Sequence, residues 1–259
     1  MSGTSSNSDI IRIYEDKQLA EEYIKYRPGY PPFILKTILQ YMEETNAENL
    51  NTFDTMIDVD CGSGQATHMF AEHFRSVLGI DISESQIEIA YNSLDLVSCA
   101  TAAHWLNLPT FERECNRVLK TNGCVAIYTY LLLNIKSSDD NHGNLQSKFF
   151  EIVTKFVNDC EGHEKSKLKG YQEIFNEINN TSKKWVSCPD MDKAYNLPSF
   201  KKFMATLGEY STYMKSNPSV DPLEQFGDSI KKLVCKDELM DNDVDFKITF
   251  GYQMILFRK

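Results

Sequence analysis

Asp58, Gly62, Gly64 and Asp81 are the residues whose types and spacing suggest chemistry. Three of them fall in "MIDVDCGSGQATHMF", residues 56–70. Gly62 and Gly64 let a ligand come close to the main chain, and a turn there can aim backbone N–H groups at it. Asp81 follows Gly62 by nineteen residues, close to the roughly 20 at which a carboxylate meets a ribose. A carboxylate accepts two hydrogen bonds from a cis-diol, so the pattern points to a nucleotide-like cofactor. The plainer alternative is a glycine turn followed by a capping aspartate. Asp60 stands at the turn, where a third small residue would be expected.

These residues need strand ends to hold them. "TFDTMIDVD" is a β-run, and "GQATHMFAEHF" places Ala66, Met69, Phe70 and Phe74 at helical spacing. "SVLGID" is a short strand. "SESQIEIAYNS" opens with Ser83 and Gln86 in capping-box spacing. "LDLVSCATAAHW" is a strand running into a loop. "LPTFERECNRVLKTNG" is an amphipathic helix expected to stop at Asn122-Gly123, and "CVAIYTYLLL" is another strand. Alternation of β and α over 52–133 predicts a parallel sheet with right-handed crossovers. Upstream, "DKQLAEEYIKYRPGYPPFILKTILQYMEE" gives two helices, the second starting on Pro32. Residues 134–240 read as a loop and amphipathic helices, and "DVDFKITFGYQMILFRK" closes the chain as β.

The 259 residues carry a net charge of −10. That argues against a nucleic-acid partner, which needs a concentrated basic face. No apolar run approaches the roughly 20 residues of a membrane helix, and a cytoplasmic location is the expectation. The seven cysteines are scattered and form no C-x-x-C; reduced thiols are expected, with no metal site. The first nine residues read as a disordered tail and 10–259 as one domain, its core at 52–133 and 245–259 and a helical cap at about 134–240.

"DVDCGSGQ" (58–65) resembles the D-x-G-x-G-x-G first motif of class I S-adenosylmethionine-dependent methyltransferases, except at Asp60. "VLGIDISESQIEIA" (77–90) resembles their second strand and following helix. "LDLVSCATAAHWLNLPTFERECNRVLKTNGCVAIYTY" (94–130) resembles their fourth strand, H-W loop, and "RVLK-x-x-G" helix with the fifth strand. "YIKYRPGYP" (23–31) and the segment 195–259 are similar to a methyltransferase type 11 subgroup that includes trans-aconitate methyltransferases. The resemblance implies an α/β, Rossmann-like, mostly parallel sheet with helices on both faces, a C-terminal antiparallel strand and a helical cap. It implies S-adenosylmethionine as cofactor and a small-molecule substrate, with a carboxylate as one class. Cofactor-binding positions would be Tyr26, Arg27, Asp58, Gly62, Ser63, Gly64, Gln65, Asp81, Ile82, Ala100, Thr101 and Ala102. His104, beside Trp105, would be either a general base or a packed histidine.

One departure concerns length. Only twelve residues separate Ile82 from Asp95, enough for one crossover but not for two crossovers and a strand. The third strand and its adenine-contacting acid are therefore expected to be missing. Strand two should lie at the sheet edge with strand 94–99 beside strand 56–60, and helix 84–93 should lie on the face away from helix 65–74. An active methyltransferase and a degenerate relative serving as an interaction module both fit this pattern. A dinucleotide oxidoreductase fits less well, lacking its third glycine.

Overall fold

The computed structural model describes residues 17–45, 52–81, 90–137, 145–161 and 170–259. In chain order the elements are α1 (Lys17–Tyr26), α2 (Pro32–Glu43), β1 (Phe53–Val59), β2 (Phe74–Ile80), β3 (Leu94–Ala100), α3 (Leu108–Val118), β4 (Leu119–Ser137), α4 (Gln146–Glu161), α5 (Tyr171–Glu177), β5 (Lys184–Ser187), β6 (Met191–Asn196), α6 (Leu197–Ala205), α7 (Gly208–Ser216), α8 (Pro222–Leu233) and β7 (Asp245–Arg258). One-turn helices stand at Thr67–Phe70, Ala103–Trp105 and Asp241–Asp243.

The strand order is β2-β1-β3-β4-β7-β5, and β6 also pairs with β7. β1 is parallel to both β2 and β3, and β3 is parallel to β4. β5 and β6 are antiparallel to β7. Strand two therefore lies at the edge, beside β1, and Met56–Val59 pairs with Leu96–Cys99, as the short 82–95 interval requires. The α/β, mostly parallel architecture with its antiparallel C-terminal strand is the expected one.

The chain divides into two compact units, one comprising residues 29–131, 168–189 and 252–259, the other 1–28, 132–167 and 190–251. In the first unit, side chains alternate across the sheet. Ile57, Val97, Cys99, Val125, Ile127, Ile255 and Phe257 form one apolar face, packed with Leu108, Cys115 and Val118 of α3 and with Tyr171 and Ile174 of α5. The opposite register carries Met56, Asp58, Leu96, Ser98, Ala126 and Tyr128. β3 and residues 123–130 of β4 are almost entirely buried, which is why they read as continuous apolar runs. At the amino ends of the strands, Asp95 Oδ2 accepts the Asp54 and Thr55 backbone N–H groups at 2.8 and 2.9 Å. Lys120 Nζ donates to both Asp54 and Asp95 at 2.8 Å. α2 begins on Pro32, as its sequence suggests.

In the second unit, Phe200 of α6 is fully buried. Its ring centroid lies 5.5 Å from Tyr195, 5.5 Å from Phe246, 5.7 Å from Phe203 and 5.7 Å from Phe226. Asn196 and Ser199 cap α6 reciprocally. Arg27, just past α1, is buried at 7 % exposure. Its Nε donates to Thr206 Oγ1 at 2.7 Å and its Nη2 to the Thr206 carbonyl at 2.9 Å, while the guanidinium lies over the Tyr23 and Phe203 rings.

Several local expectations are corrected. The stretch 65–74 is not an α-helix: only Thr67–Phe70 makes a one-turn helix. Phe74 joins β2, its ring 5.4 Å from Phe53 and 6.0 Å from Phe70, so burial of that ring sets the end of the segment. α3 stops at Val118 rather than at Asn122-Gly123. Leu94 pairs with Leu119 but Leu96 with Cys124, so residues 120–123 bulge out of the ladder, with Asn122 at φ +66°. Of the expected helix 84–93, residues 84–89 lie outside the described residues, and residues 90–93 are non-helical. The first nine residues and Ile82 also lie outside them.

Arg27→Ala removes two bonds from a charged donor and the packing of its stem. Thermal unfolding is expected to show a loss of about 2–3 kcal/mol. A loss under about 0.5 kcal/mol would show that Arg27 does not hold its unit together.

Candidate functional site

The carboxyl ends of parallel strands are where α/β sheets place their sites. Here β1 ends in Asp58-Val59-Asp60, β2 in Ile80-Asp81, and β3 in Ala100-Thr101. All belong to the first unit. The turn after β1 alternates left-handed residues: Asp60 at φ +54°, Gly62 at +50° and Gly64 at +76°. An added Cβ would meet nothing within 4 Å at Gly62, so it is the backbone angle, not crowding, that calls for glycine there. Asp60 adopts the same region, which aspartate tolerates better than most side chains.

The loop closes on itself. Gly62 N–H donates to Asp81 Oδ2 at 2.9 Å, and Gly64 N–H to the Cys61 carbonyl at 2.9 Å. Because no α-helix follows, the anion-binding helix start that the sequence suggested is not formed. Cys61 packs over Gly79, where a Cβ would come within 2.7 Å of its Sγ. The thiol is pushed up to about 11 by burial, then by the nearby aspartates.

Asp58 is the buried centre of the site, with 0 % exposure. Its Oδ2 accepts the Thr67 hydroxyl at 2.6 Å. Its Oδ1 is buried and has no hydrogen-bond partner. Ser98, its register partner on β3, shares a hydrogen bond with Tyr128 Oη at 3.1 Å. Burial raises the Asp58 carboxyl to about 6, with the Thr67 and Ser98 hydroxyls opposing the rise. Asp60 is likewise raised to about 6, first by burial, then by the charges of Asp81 and Asp58.

Beyond β3, Thr101 is left-handed at φ +54°, a strained angle for a β-branched residue. Its N–H donates to the Tyr128 carbonyl at 2.8 Å, and its hydroxyl meets Tyr30 Oη at 2.8 Å and Thr129 Oγ1 at 3.4 Å. His104 sits in the next turn, 5.0 Å from the Trp105 ring and 6.4 Å from that of Tyr171.

The structure thus brings together Asp58, Gly62, Ser63, Gly64, Gln65 and Asp81 at two strand ends, with Ala100, Thr101 and His104 at the third. Ala102 is buried in the apolar core of the unit. Tyr26 and Arg27 belong to the other unit, where the Tyr26 carbonyl accepts from Tyr195 Oη at 2.9 Å and from Lys193 Nζ at 3.2 Å. Thr67, Ser98 and Tyr30 were not singled out from the sequence. Ser98 alone leaves a signal there, as a hydroxyl inside the apolar run "LVSCA". Among the described residues no cluster of three or more metal-ligating side chains occurs, and no helix is long and apolar enough to cross a membrane.

Residues 57–127 match the methyltransferase domain family. Over 95 % of this chain and 96 % of its own length, a Dictyostelium discoideum protein named "Putative methyltransferase" is 26 % identical. The "Probable S-adenosylmethionine-dependent methyltransferase CRG1" of Saccharomyces cerevisiae is 22 % identical over 92 % of this chain and 94 % of its own. A solved structure from Anaeromyxobacter dehalogenans, described as a "Putative Type II Methyltransferase", superposes with a TM-score of 0.61 at 18 % identity, covering 90 % of this chain and 98 % of the other. These matches, together with the motifs and the sheet, support a class I S-adenosylmethionine-dependent methyltransferase.

The raised carboxyls fix a pH dependence. Between about pH 4 and 6 the folded chain holds protons on Asp58 and Asp60 that the unfolded chain has released. Stability therefore falls as pH rises through that window. For Asp58 the loss is on the order of 3 kcal/mol. Urea unfolding of the ligand-free protein should give a higher midpoint at pH 5 than at pH 7.5, and Asp58→Asn should shrink the difference. A midpoint that climbs steadily from pH 5 to 7.5 in both proteins would contradict the assignment.

Proposed function

We propose that the chain binds S-adenosylmethionine in the 58–64 loop and methylates a small molecule, a carboxylate being the first class to try. The observation that carries this reading is the orphaned, fully buried Asp58 Oδ1 beneath a loop whose second acid, Asp81, ends the neighbouring strand. A ligand ammonium supplies the donor that Asp58 lacks, and a ribose diol supplies donors to Asp81; the residues fit the cofactor. Ser63, Gln65, Ala100 and Thr101 would line the same site.

When bound, S-adenosylmethionine supplies an activated sulfonium methyl. What remains for the protein is placement: holding an acceptor in line at about 3 Å accounts for much of the rate in such transfers. The Thr67 bond fixes the Asp58 carboxyl. The Tyr30 and Thr129 hydroxyls hold Thr101 in its strained angle at the mouth of β3. His104 would take a proton only from an oxygen or nitrogen acceptor; a carboxylate acceptor needs no base. The net charge of −10 supports a small molecule over a nucleic acid. A cytoplasmic location remains part of the reading.

A second reading, a relative that serves as an interaction module and binds cofactor weakly, is favoured by Asp60. Two like charges near 4 Å repel by about 4 kcal/mol at an effective dielectric of 20, and the ligand carboxylate would meet that repulsion. Calorimetric titration with S-adenosylmethionine, followed by labelled-methyl transfer to a panel of organic acids and to RNA, separates the readings. Saturable binding is expected, and Asp81→Ala should weaken it by about 1.5–3 kcal/mol. No binding at millimolar ligand would leave the module reading. Transfer to RNA alone would overturn the small-molecule one.

A further inference from the structure

Asp60 has no counterpart in the pattern the loop otherwise follows, and its surroundings give it a use. It shares the turn with two other carboxyls. Asp58 lies two residues before it at the end of β1. Asp81 lies across the β1–β2 ladder, one step past the Val59–Ile80 pair. The groups acting on Asp60 are those two acids, with no lysine or arginine among them. Cys61 in the loop, Cys99 on β3 and Tyr128 on β4 are the neighbouring titratable groups, all held neutral by burial. The Asp58 Oδ1 is buried without a donor. A partly desolvated group of acids, close enough to act on one another, therefore stands at the loop.

S-adenosylmethionine carries an ammonium, a carboxylate and a sulfonium, for a net charge of +1. S-adenosylhomocysteine, formed when the sulfonium loses its methyl, keeps the ammonium and carboxylate and is neutral. The two differ little in shape. Only charge separates them strongly, and charge is what this loop has in excess.

We propose that Asp60 makes the loop a charge discriminator, holding the cationic methyl donor and releasing its neutral product. The inference rests on the cofactor reading above. Its cost is repulsion of the ligand carboxylate, which falls equally on donor and product; its gain is attraction to the sulfonium, which falls on the donor alone. Discrimination needs ionised acids, so it weakens as Asp58 and Asp60 take up protons near pH 6.

Calorimetry on the natural protein, Asp60→Asn and Asp60→Gly tests this. Both variants suit the left-handed angle, so the fold is retained. The ligands are S-adenosylmethionine, S-adenosylhomocysteine and sinefungin, an analogue with an ammonium in place of the sulfonium. At pH 7.5 the natural protein should bind both cationic ligands about tenfold or more tightly than the neutral one, a ratio a single charge can supply across a partly buried loop. In both variants the ratio should fall to about threefold or less, chiefly through tighter binding of the neutral ligand. At pH 5 the natural protein's ratio should narrow likewise. Equal affinities in the natural protein, or a ratio unchanged in the variants, overturn the discriminator while leaving the cofactor reading standing. If none of the three ligands binds, both fall.

Discussion

The hydroxyl of Thr67 donates to Asp58 Oδ2 at 2.6 Å, and the carboxyl end of the sheet is organised around that bond. Asp58 stands near the end of a strand in which Met56 and Ile57, on opposite faces, are both buried, so its carboxyl is shielded from bulk water. Burying a carboxylate is costly unless donors meet it. Thr67 supplies one, and only because the chain turns back through three left-handed residues in five positions. Gly64 and Gly79 both lie close to the Thr67 hydroxyl: a Cβ at either would approach it to within 4 Å. The loop is thus shaped by the need to return a hydroxyl to a buried acid. The second carboxyl oxygen is left buried without a hydrogen-bond donor.

Strand order follows from a different constraint. With no room for a third strand between Ile82 and Asp95, β2 becomes the edge. Natural edges are blunted by charge, and β2 carries Arg75, paired with Asp54 at 3.0 Å. The shortened sheet still presents three adjacent strand ends, β2, β1 and β3, and these carry Asp81, the loop and Thr101. What the site keeps is therefore what lies on those three strands.

Much of this was legible from local spacing. Asp58, Gly62, Gly64 and Asp81 sit at strand ends, where neighbours in sequence are neighbours in space. The edge position of β2 followed from counting residues. Ala66, Phe70 and Phe74 share a helical spacing, yet Phe74 is buried as the first residue of a strand, so no α-helix forms over 65–74. The contacts of Ser98 with Tyr128, and of Tyr30 with Thr101, depend on pairings 30 and 71 residues apart, which no local pattern encodes. β5 and β6, "KWVS" and "MDKAYN", lack apolar runs because both are short and much of their length stays exposed. Arg27 looked like a ligand contact because arginine suits carboxylates; in its unit it is bound by Thr206 and two rings.

The central claim is that one loop and two flanking strand ends form the cofactor site. Hydrogen–deuterium exchange of the whole chain, with and without saturating S-adenosylmethionine, tests it most directly. The account predicts slowed exchange in peptides covering 58–67, 79–81 and 98–104. Protection confined to other segments, with these three unchanged, would contradict it.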